Sequence, residues 1–441
     1  MNSLCHLILS LALFSLIAAV PLQAQVSSDH KTQHVIFVMT DGLRWQEVFN
    51  GAELSLMNKQ NGKVQDPSAL KKAYWRDDPQ ARRAALMPFV WHVVAKQGQI
   101  FGNRDKKSDA YVTNHMFFSY PGYNETLCGF PDDARINSND KIPNPNVTVL
   151  EWLKNRPSFQ GDIAVFGAWD VISAVVNPDR SHITANAGYE PFTSIAVTPK
   201  LDLLNNLKSE FPHVWGDEPF DAIPFYTAVE YIKANKPRVL YLSLGETDDW
   251  AHGGQYTDYL DSAHRVDGYL KALWDLAQSL PEYQGNTTLI FSPDHGRGKA
   301  PRNWKSHGAK IPDSKYIWMA FLGPDTQALG EKGDGRSRQH AAENRRATRR
   351  RNADGHGLFE LRPGRACVAP HEHMSAPSPK RRGLRNALDE VRRQVLADDT
   401  PDTVRSEVPP HGGWPTSSRT AAPCAPCAGR PSCARRCGRR A

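Results

Sequence analysis

Seven polar side chains of this 441-residue sequence have the types and spacing for metal-dependent chemistry. They are three aspartates, three histidines and one serine: Asp41, Ser119, Asp248, His252, Asp294, His295 and His307. Each follows a short apolar run or lies in a polar loop. Zinc takes about three such oxygen or nitrogen ligands and keeps one position open. The set is therefore large enough for two divalent ions, which can clamp the attacking and leaving oxygens of a phosphoryl displacement.

The spacing within two of the motifs supports this interpretation. Asp248 and His252 are four residues apart, so a helical turn would place both on one face. Asp294 and His295 are adjacent on a turn that ends in Gly296, and both can face one cation. The alternative for the first pair is the charged, capped start of a helix.

The other three motifs are weaker when taken singly. Asp41 precedes Gly42, where an aspartate commonly caps a helix or begins a turn. His307 is in a polar loop, where a lone histidine is commonly just solvated. Ser119 comes before a Pro-Gly pair, which predicts a turn that exposes its hydroxyl, and a metal ion could activate that hydroxyl as a nucleophile.

The elements that position these residues are predicted from apolar runs and helical periodicity. Runs rich in Val, Ile, Leu and aromatic residues predict buried strands at 34–39, 163–166, 239–244, 288–291 and 316–322. Periodic patterns predict helices at 223–234 and 258–280. Alternation of the two predicts an α/β sandwich with a mostly parallel sheet, whose sites gather beyond the carboxyl ends of the strands. Residues 103–145 lack such periodicity and are interpreted as site loops.

The ordered series of motifs over residues 33–324 resembles the alkaline phosphatase superfamily, and within it the nucleotide pyrophosphatase/type I phosphodiesterase branch. The pieces that carry the resemblance are Asp41-Gly42, Ser119-x-Pro121, Asp248-x-x-x-His252, Asp294-His295-Gly296 and His307-Gly308. The resemblance implies a three-layer αβα sandwich and a phosphate-ester hydrolase.

The resemblance also implies roles for individual residues. One zinc site would use Asp248, His252 and His307, and the other Asp41, Asp294 and His295. Ser119 would be the metal-bound nucleophile that forms a phospho-enzyme. An asparagine that holds a phosphate oxygen would be either Asn137 or Asn139, and the sequence does not choose between them.

The sequence departs from that branch in ways that keep alternatives open. The branch commonly has threonine where Ser119 stands, and the segment after Ser119 differs from the common version. A sulfatase of the same superfamily would require a modified Cys or Ser in a C/S-x-P-x-R context, and Tyr123 stands at the arginine position. A catalytically impaired zinc-binding relative is the third alternative.

Both ends of the chain differ in composition from its body. Residues 1–24 have an apolar run from Leu7 to Val20 and small residues before Ala24, which predicts a cleaved signal peptide, with an uncleaved anchor as the alternative. The catalytic domain is expected at 25–329, without its last strand and helix. A periplasmic or secreted protein with no membrane span after cleavage follows from this interpretation.

The segment 330–441 is rich in Arg, Pro and Ala, and holds 23 of the 54 basic residues but only 12 of the 47 acidic ones. Such a composition is typical of disorder. A reading-frame shift near Gly330 and a natural basic tail both explain it. The body is slightly acidic, so we expect a small phosphate-ester substrate and no nucleic-acid partner, although Cys424-x-x-Cys427 with Cys433 and Cys437 leaves a zinc knuckle as a weaker interpretation.

Overall fold

A computed structural model describes residues 30–157, 159 and 161–333 of the chain. The predicted signal peptide at 1–24 and the tail beyond residue 333 lie outside the described residues. Within them, no helix is both long enough and apolar enough to cross a membrane.

The described chain is built on one eight-stranded, mostly parallel sheet, as the sequence predicted. The strands are β1 His34–Thr40, β2 Gln99–Phe101, β3 Ile163–Gly167, β4 Thr184–Ala187, β5 Val239–Leu244, β6 Thr287–Pro293, β7 Met319–Leu322 and β8 Gly330–Glu331. Their order across the sheet is β4-β3-β5-β1-β6-β7-β2-β8. β7 is antiparallel to both of its neighbours, while the other pairs are parallel. The central strands β5, β1 and β6 therefore end at the same edge.

The central strands are buried on both faces, because helices cover both sides of the sheet. Along β1, Val35, Phe37 and Met39 pack into one apolar core, while Ile36 and Val38 pack into the other. This explains why the strand is a continuous apolar run rather than an alternating one. The predicted three-layer αβα arrangement is confirmed in this respect.

Thirteen α-helices connect the strands in the described residues. They are α1 Trp45–Asn50, α2 Lys59–Gly62, α3 Pro67–Tyr74, α4 Pro79–Leu86, α5 Ala95–Gln97, α6 Ser119–Cys128, α7 Val149–Lys154, α8 Val171–Val176, α9 Pro178–Ser181, α10 Pro199–Glu210, α11 Ala222–Asn235, α12 Glu246–Gly253 and α13 Tyr256–Ser279. A π-helical turn spans Val90–Val94, and short 3-10 turns span Leu54–Leu56, Arg104–Lys106 and Pro312–Lys315. Helices α6, α7 and α8 contribute to one core, and α10, α11 and α13 contribute to the other.

Two expectations about local structure were wrong. Residues 103–145 contain the ten-residue helix α6, whose side chains are all buried and which therefore shows no amphipathic period. Ser119 is the first residue of that helix and does not lie before an exposed Pro-Gly turn. Pro121 fits inside the helix because the amide hydrogens of a first turn have no intrahelical partner to lose.

The ordered fold extends slightly beyond the predicted boundary at residue 329. Gly330 and Glu331 form β8, which pairs with β2 at the edge of the sheet. The Glu331 carboxylate accepts hydrogen bonds from Arg83 and Lys106 and from the side-chain amide of Asn103. The first residues of the predicted tail are thus part of the sheet.

Candidate metal centre

The three central strands bring most of the predicted site residues to one edge of the sheet. Asp41 directly follows β1, and Asp294 and His295 directly follow β6. Asp248 and His252 lie on α12, which begins two residues after β5. Because β5, β1 and β6 are parallel neighbours, their carboxyl ends meet at this edge, as the sequence analysis expected.

Asp41, Asp294 and His295 form the first half of the cluster. Their ligand atoms all lie within 4.8 Å of one another, and all three residues are buried. The Nε2 atom of His295 is 3.1 Å from Oδ1 of Asp41 and 3.5 Å from Oδ2 of Asp294. The opposite ring nitrogen of His295 is 2.8 Å from the carbonyl oxygen of Gly296, which fixes the ring orientation. This is the grouping that the resemblance implied.

Asp248, His252 and His307 form the second half. The Nε2 atom of His252 is 2.9 Å from Oδ2 of Asp248 and 2.9 Å from Nε2 of His307. His307 is in the loop after β6, and its Nδ1 is 3.3 Å from the carbonyl oxygen of Phe117. The two halves touch, since Asp248, His295 and His307 also have ligand atoms within 4.8 Å of one another.

Ser119 lies against the first half, at the start of α6. Its hydroxyl is 3.4 Å from Nε2 of His295 and 3.5 Å from Oδ1 of Asp41. The close approach depends on Gly122, since a Cβ there would lie 2.5 Å from the carbonyl oxygen of Asp294. The amino end of a helix is positively polarised, so this position favours a negative charge on the serine oxygen and on a bound anion.

Burial and neighbouring charges shift the pKa values of several groups in this cluster. Burial and the neighbouring Asp41 raise the pKa of Asp294 well above its usual value. Burial alone would lower the pKa of His295, but Asp294 and Asp41 outweigh it and raise that pKa to about 9. Burial and the nearby His295 lower the pKa of His307 to about 2.

These residues fit a pair of divalent cations. The buried Oδ2 atom of Asp294 has no hydrogen-bond partner in the described part of the chain. Two imidazole nitrogens, those of His252 and His307, face each other at 2.9 Å. Inward-facing carboxylate oxygens and imidazole nitrogens are the donor set that zinc takes in proteins.

Sequence reasoning missed three residues that shape this cluster. Arg297 is fully buried, and its guanidinium forms an ion pair with Asp248 and donates to the carbonyl oxygens of Trp304 and Lys305. It holds the pKa of Asp248 well below its usual value against the opposing effect of burial. An arginine between two glycines, three residues after Asp294, was the available signal.

Gly42 and Tyr123 are the other two residues that shape the cluster and to which sequence reasoning assigned no role. Gly42 has a φ of +58°, and a Cβ there would lie 2.6 Å from Oδ1 of Asp248. Its amide donates to Oδ1 of Asp294 at 3.1 Å. The Tyr123 hydroxyl donates to Oδ2 of Asp41 at 3.0 Å and accepts from the Ser243 hydroxyl at 3.0 Å. In the sequence, Tyr123 is notable only as a departure from the sulfatase pattern.

The two candidate asparagines lie in different surroundings. The Asn139 side-chain oxygen accepts from the Tyr120 amide at 3.0 Å, so Asn139 caps the helix that begins with Ser119. The Asn137 side chain reaches only the carbonyl oxygen of Ala134, at 3.5 Å. Both asparagines are exposed. Of the two, Asn139 is therefore tied to the helix that begins with Ser119.

The chain is similar in fold to several solved structures. No family model matches the chain, and no curated protein matches it. Similar solved structures include a 2-O GAG sulfatase, with 14% identity over 68% of this chain and 65% of that one at a TM-score of 0.40. A protein in the alkaline phosphatase superfamily from Vibrio parahaemolyticus has 12% identity over 70% and 64%, with a TM-score of 0.40. Murine ectonucleotide pyrophosphatase/phosphodiesterase 5 has 15% identity over 61% and 59%, with a TM-score of 0.34.

The solved structures with this likeness include members of the superfamily that the sequence motifs predicted. The chain spans less than two thirds of the length of each of these three structures. The chain is thus defined as an α/β protein with an acidic, histidine-rich cluster at the carboxyl edge of its parallel strands.

Proposed function

We propose that this chain is an exported two-metal hydrolase of phosphate esters that acts through Ser119. One observation carries the proposal: three carboxylates and three imidazoles from separate parts of the chain form one connected cluster, and the buried Ser119 hydroxyl lies against Asp41 and His295 within it. Zinc is the ion that this mixed donor set favours. Asp41, Asp294 and His295 would hold one ion, and Asp248, His252 and His307 the other.

The residues of the chain would share the work of the reaction. When bound, the two ions would lower the pKa of the serine hydroxyl and neutralise charge on the phosphoryl oxygens. Ser119 attacks phosphorus, the bond from its oxygen to phosphorus forms, and the bond to the leaving alcohol breaks. The proton of the serine hydroxyl goes to the leaving alcohol. Water then cleaves the phosphoserine and restores that proton, so that a monoester gives an alcohol and phosphate, and a diester gives an alcohol and a phosphate monoester. The amino end of α6, capped by Asn139, stabilises the charged phosphoryl oxygens.

The test is a Ser119→Ala variant of the full chain, assayed with zinc on p-nitrophenyl phosphate and on its bis ester. We expect turnover to fall by about 10³-fold or more while zinc content stays at that of the wild type. Ser262→Ala is the matched control, because Ser262 is a buried serine that donates to the carbonyl oxygen of Tyr259 within α13. Undiminished turnover by the Ser119 variant would refute the nucleophile, and a wild-type chain that binds no zinc would refute the two-metal site.

A sulfatase is the competing reaction, and Tyr123 counts against it. The position that the sulfatase pattern gives to arginine holds a buried tyrosine whose hydroxyl donates to Asp41. It therefore offers no positive charge to a sulfate group. Including p-nitrophenyl sulfate in the same assay decides the matter, since faster hydrolysis of the sulfate than of either phosphate would favour the sulfatase.

A further inference from the structure

Helix α12, which carries Asp248 and His252, has no side chain of its own to cap its amino end. The residue before its first turn is Gly245, so no side chain accepts there. A Cβ at Gly245 would lie 1.3 Å from Oε1 of Glu218, so a capping residue there would have to displace that carboxylate. The free amide hydrogens of this helix start need an acceptor from elsewhere, because they are buried.

Asp221 supplies that acceptor from the neighbouring helix. It directly precedes α11, yet it makes no side-chain cap to that helix. Its Oδ1 atom accepts instead from the amide of Gly245 at 2.7 Å and from the amide of Glu246 at 3.4 Å. Asp221 is 1% exposed, so water does not replace these bonds.

Glu246 in turn accepts a hydrogen bond from the backbone of Asp221. Its Oε1 atom accepts from the backbone amide of Asp221 at 2.9 Å, so each residue satisfies the other's helix start. Its Oε2 atom accepts from Arg265 on α13 and from the Trp250 indole, the latter at 3.3 Å. The start of α12 is thereby tied to both α11 and α13.

We propose that Asp221, together with Glu246, is the positioning device for Asp248 and His252. This inference rests on the proposed function, since it concerns two of the proposed ligands. Asp248 is three residues from the capped amide of Gly245, so a shift of the first turn moves its carboxylate directly. Neither Asp221 nor Glu246 supplies a ligand, and both act through α12. Groups that orient ligands in this way commonly change metal affinity by 10–100-fold.

The experiment measures zinc binding by Asp221→Ala in the full chain, by competition with a chromophoric chelator. We expect one of the two ions to bind about tenfold more weakly, while the other, held by Asp41, Asp294 and His295, keeps its affinity. Asp221→Asn keeps the accepting oxygen and should bind both ions within about threefold of the wild type. Burial and the adjacent Glu246 raise the pKa of Asp221 well above its usual value, which disfavours its charged form.

Asp267→Ala is the matched control. Asp267 is 2% exposed and accepts from two successive amides, Phe89 at 2.7 Å and Val90 at 2.9 Å, at a helical segment without proposed ligands. It should lower stability in the same way as Asp221→Ala but leave both zinc affinities unchanged. This separates a positioning role from a general loss of stability.

The outcomes are distinct. Equal zinc affinities in Asp221→Ala and Asp267→Ala would overturn the inference while the proposed function stands. A wild-type chain without zinc would overturn both. If Asp221→Ala does not fold, Glu246→Ala takes its place, because it removes the return contact and leaves the Asp221 cap. Selective weakening of one ion in that variant supports the inference, and unchanged binding of both ions overturns it.

Discussion

The Tyr123 hydroxyl links the helix of the proposed nucleophile, Ser119, to a proposed metal ligand, Asp41, which makes Tyr123→Phe an informative change. Tyr123 lies one helical turn after Ser119 on α6. Its hydroxyl provides the only hydrogen bond that Oδ2 of Asp41 accepts within the described residues, at 3.0 Å. The same hydroxyl accepts from Ser243 at 3.0 Å. Phenylalanine would keep the ring and its packing but remove both bonds.

The magnitude follows from the burial of the partners. Tyr123 and Ser243 are 1% exposed and Asp41 is 5% exposed, so no water replaces the lost hydroxyl. A buried hydrogen bond to a charged group contributes about 1.5–3 kcal/mol, and one between neutral groups about 0.5–1.5 kcal/mol. We therefore expect the free energy of unfolding of the metal-free protein to fall by about 2–4 kcal/mol. Freed from this contact, Asp41 can turn away from Ser119, and kcat/KM should fall by about 10–100-fold.

Urea unfolding and phosphate-ester turnover measure the two effects, and Tyr256→Phe is the control for the second. Tyr256 is also fully buried, and its hydroxyl donates to the buried carboxylate of Glu47 at 3.0 Å and accepts from the Glu53 amide. Glu47 pairs with Arg44 and is not a proposed ligand. Tyr256→Phe should lose similar stability yet keep kcat/KM within about twofold. If both variants lost kcat/KM equally, or if Tyr123→Phe kept it, the proposed link would be refuted.

Two further predictions concern the helix cap and a buried lysine. Asn139→Ala should lower kcat/KM about tenfold because it removes the cap at the Tyr120 amide, whereas Asn137→Ala should stay within about twofold; equal effects on turnover would contradict this assignment. Burial lowers the pKa of Lys208 to about 8 in the folded state, against an ordinary value of 10.5. Between these pH values the unfolded chain binds more protons than the folded one, so stability should rise with pH by at most about 3 kcal/mol from this group and be unaffected by it below pH 8. Lys208→Met should remove that part of the rise in urea unfolding, and the same pH profile in both chains would show that the lysine does not titrate there.

The fold could be predicted because its strands are buried on both faces. A continuous apolar run such as that of β5 predicts a strand that is buried on both faces. The carboxyl ends of such strands then place Asp41, Asp248 and Asp294 at one edge of the sheet. The short strands β2, β4 and β8 were missed because two to four residues carry no readable pattern. The last of these lies within the segment predicted to be disordered.

The supporting contacts of the site could not be predicted, for a different physical reason. Tyr123 and Arg297 act through contacts between elements far apart in sequence, and no spacing rule encodes them. The helix at Ser119 was missed because its ten residues are all buried, which removes the amphipathic period. Pro121 and Gly122 favour a turn by local rules, and tertiary packing against Asp294 outweighs that preference.

The arrangement of charge at the site connects these supports with the proposed function. Asp41 and Asp294 are buried and Asp248 is partly buried, and such a cluster costs stability unless cations compensate it. Arg297 compensates Asp248. Asp41 and Asp294 raise the pKa of His295 to about 9, so this single imidazole is the positive charge that the two carboxylates share within the described residues. Tyr123 and Gly42 donate neutral hydrogen bonds to the other two carboxylates, which orient them without adding positive charge. The carboxylates of Asp41 and Asp294 are therefore oriented, but their negative charge is only partly compensated. A divalent cation bound on that side would contribute most to stability, and it would lie directly beside the Ser119 hydroxyl.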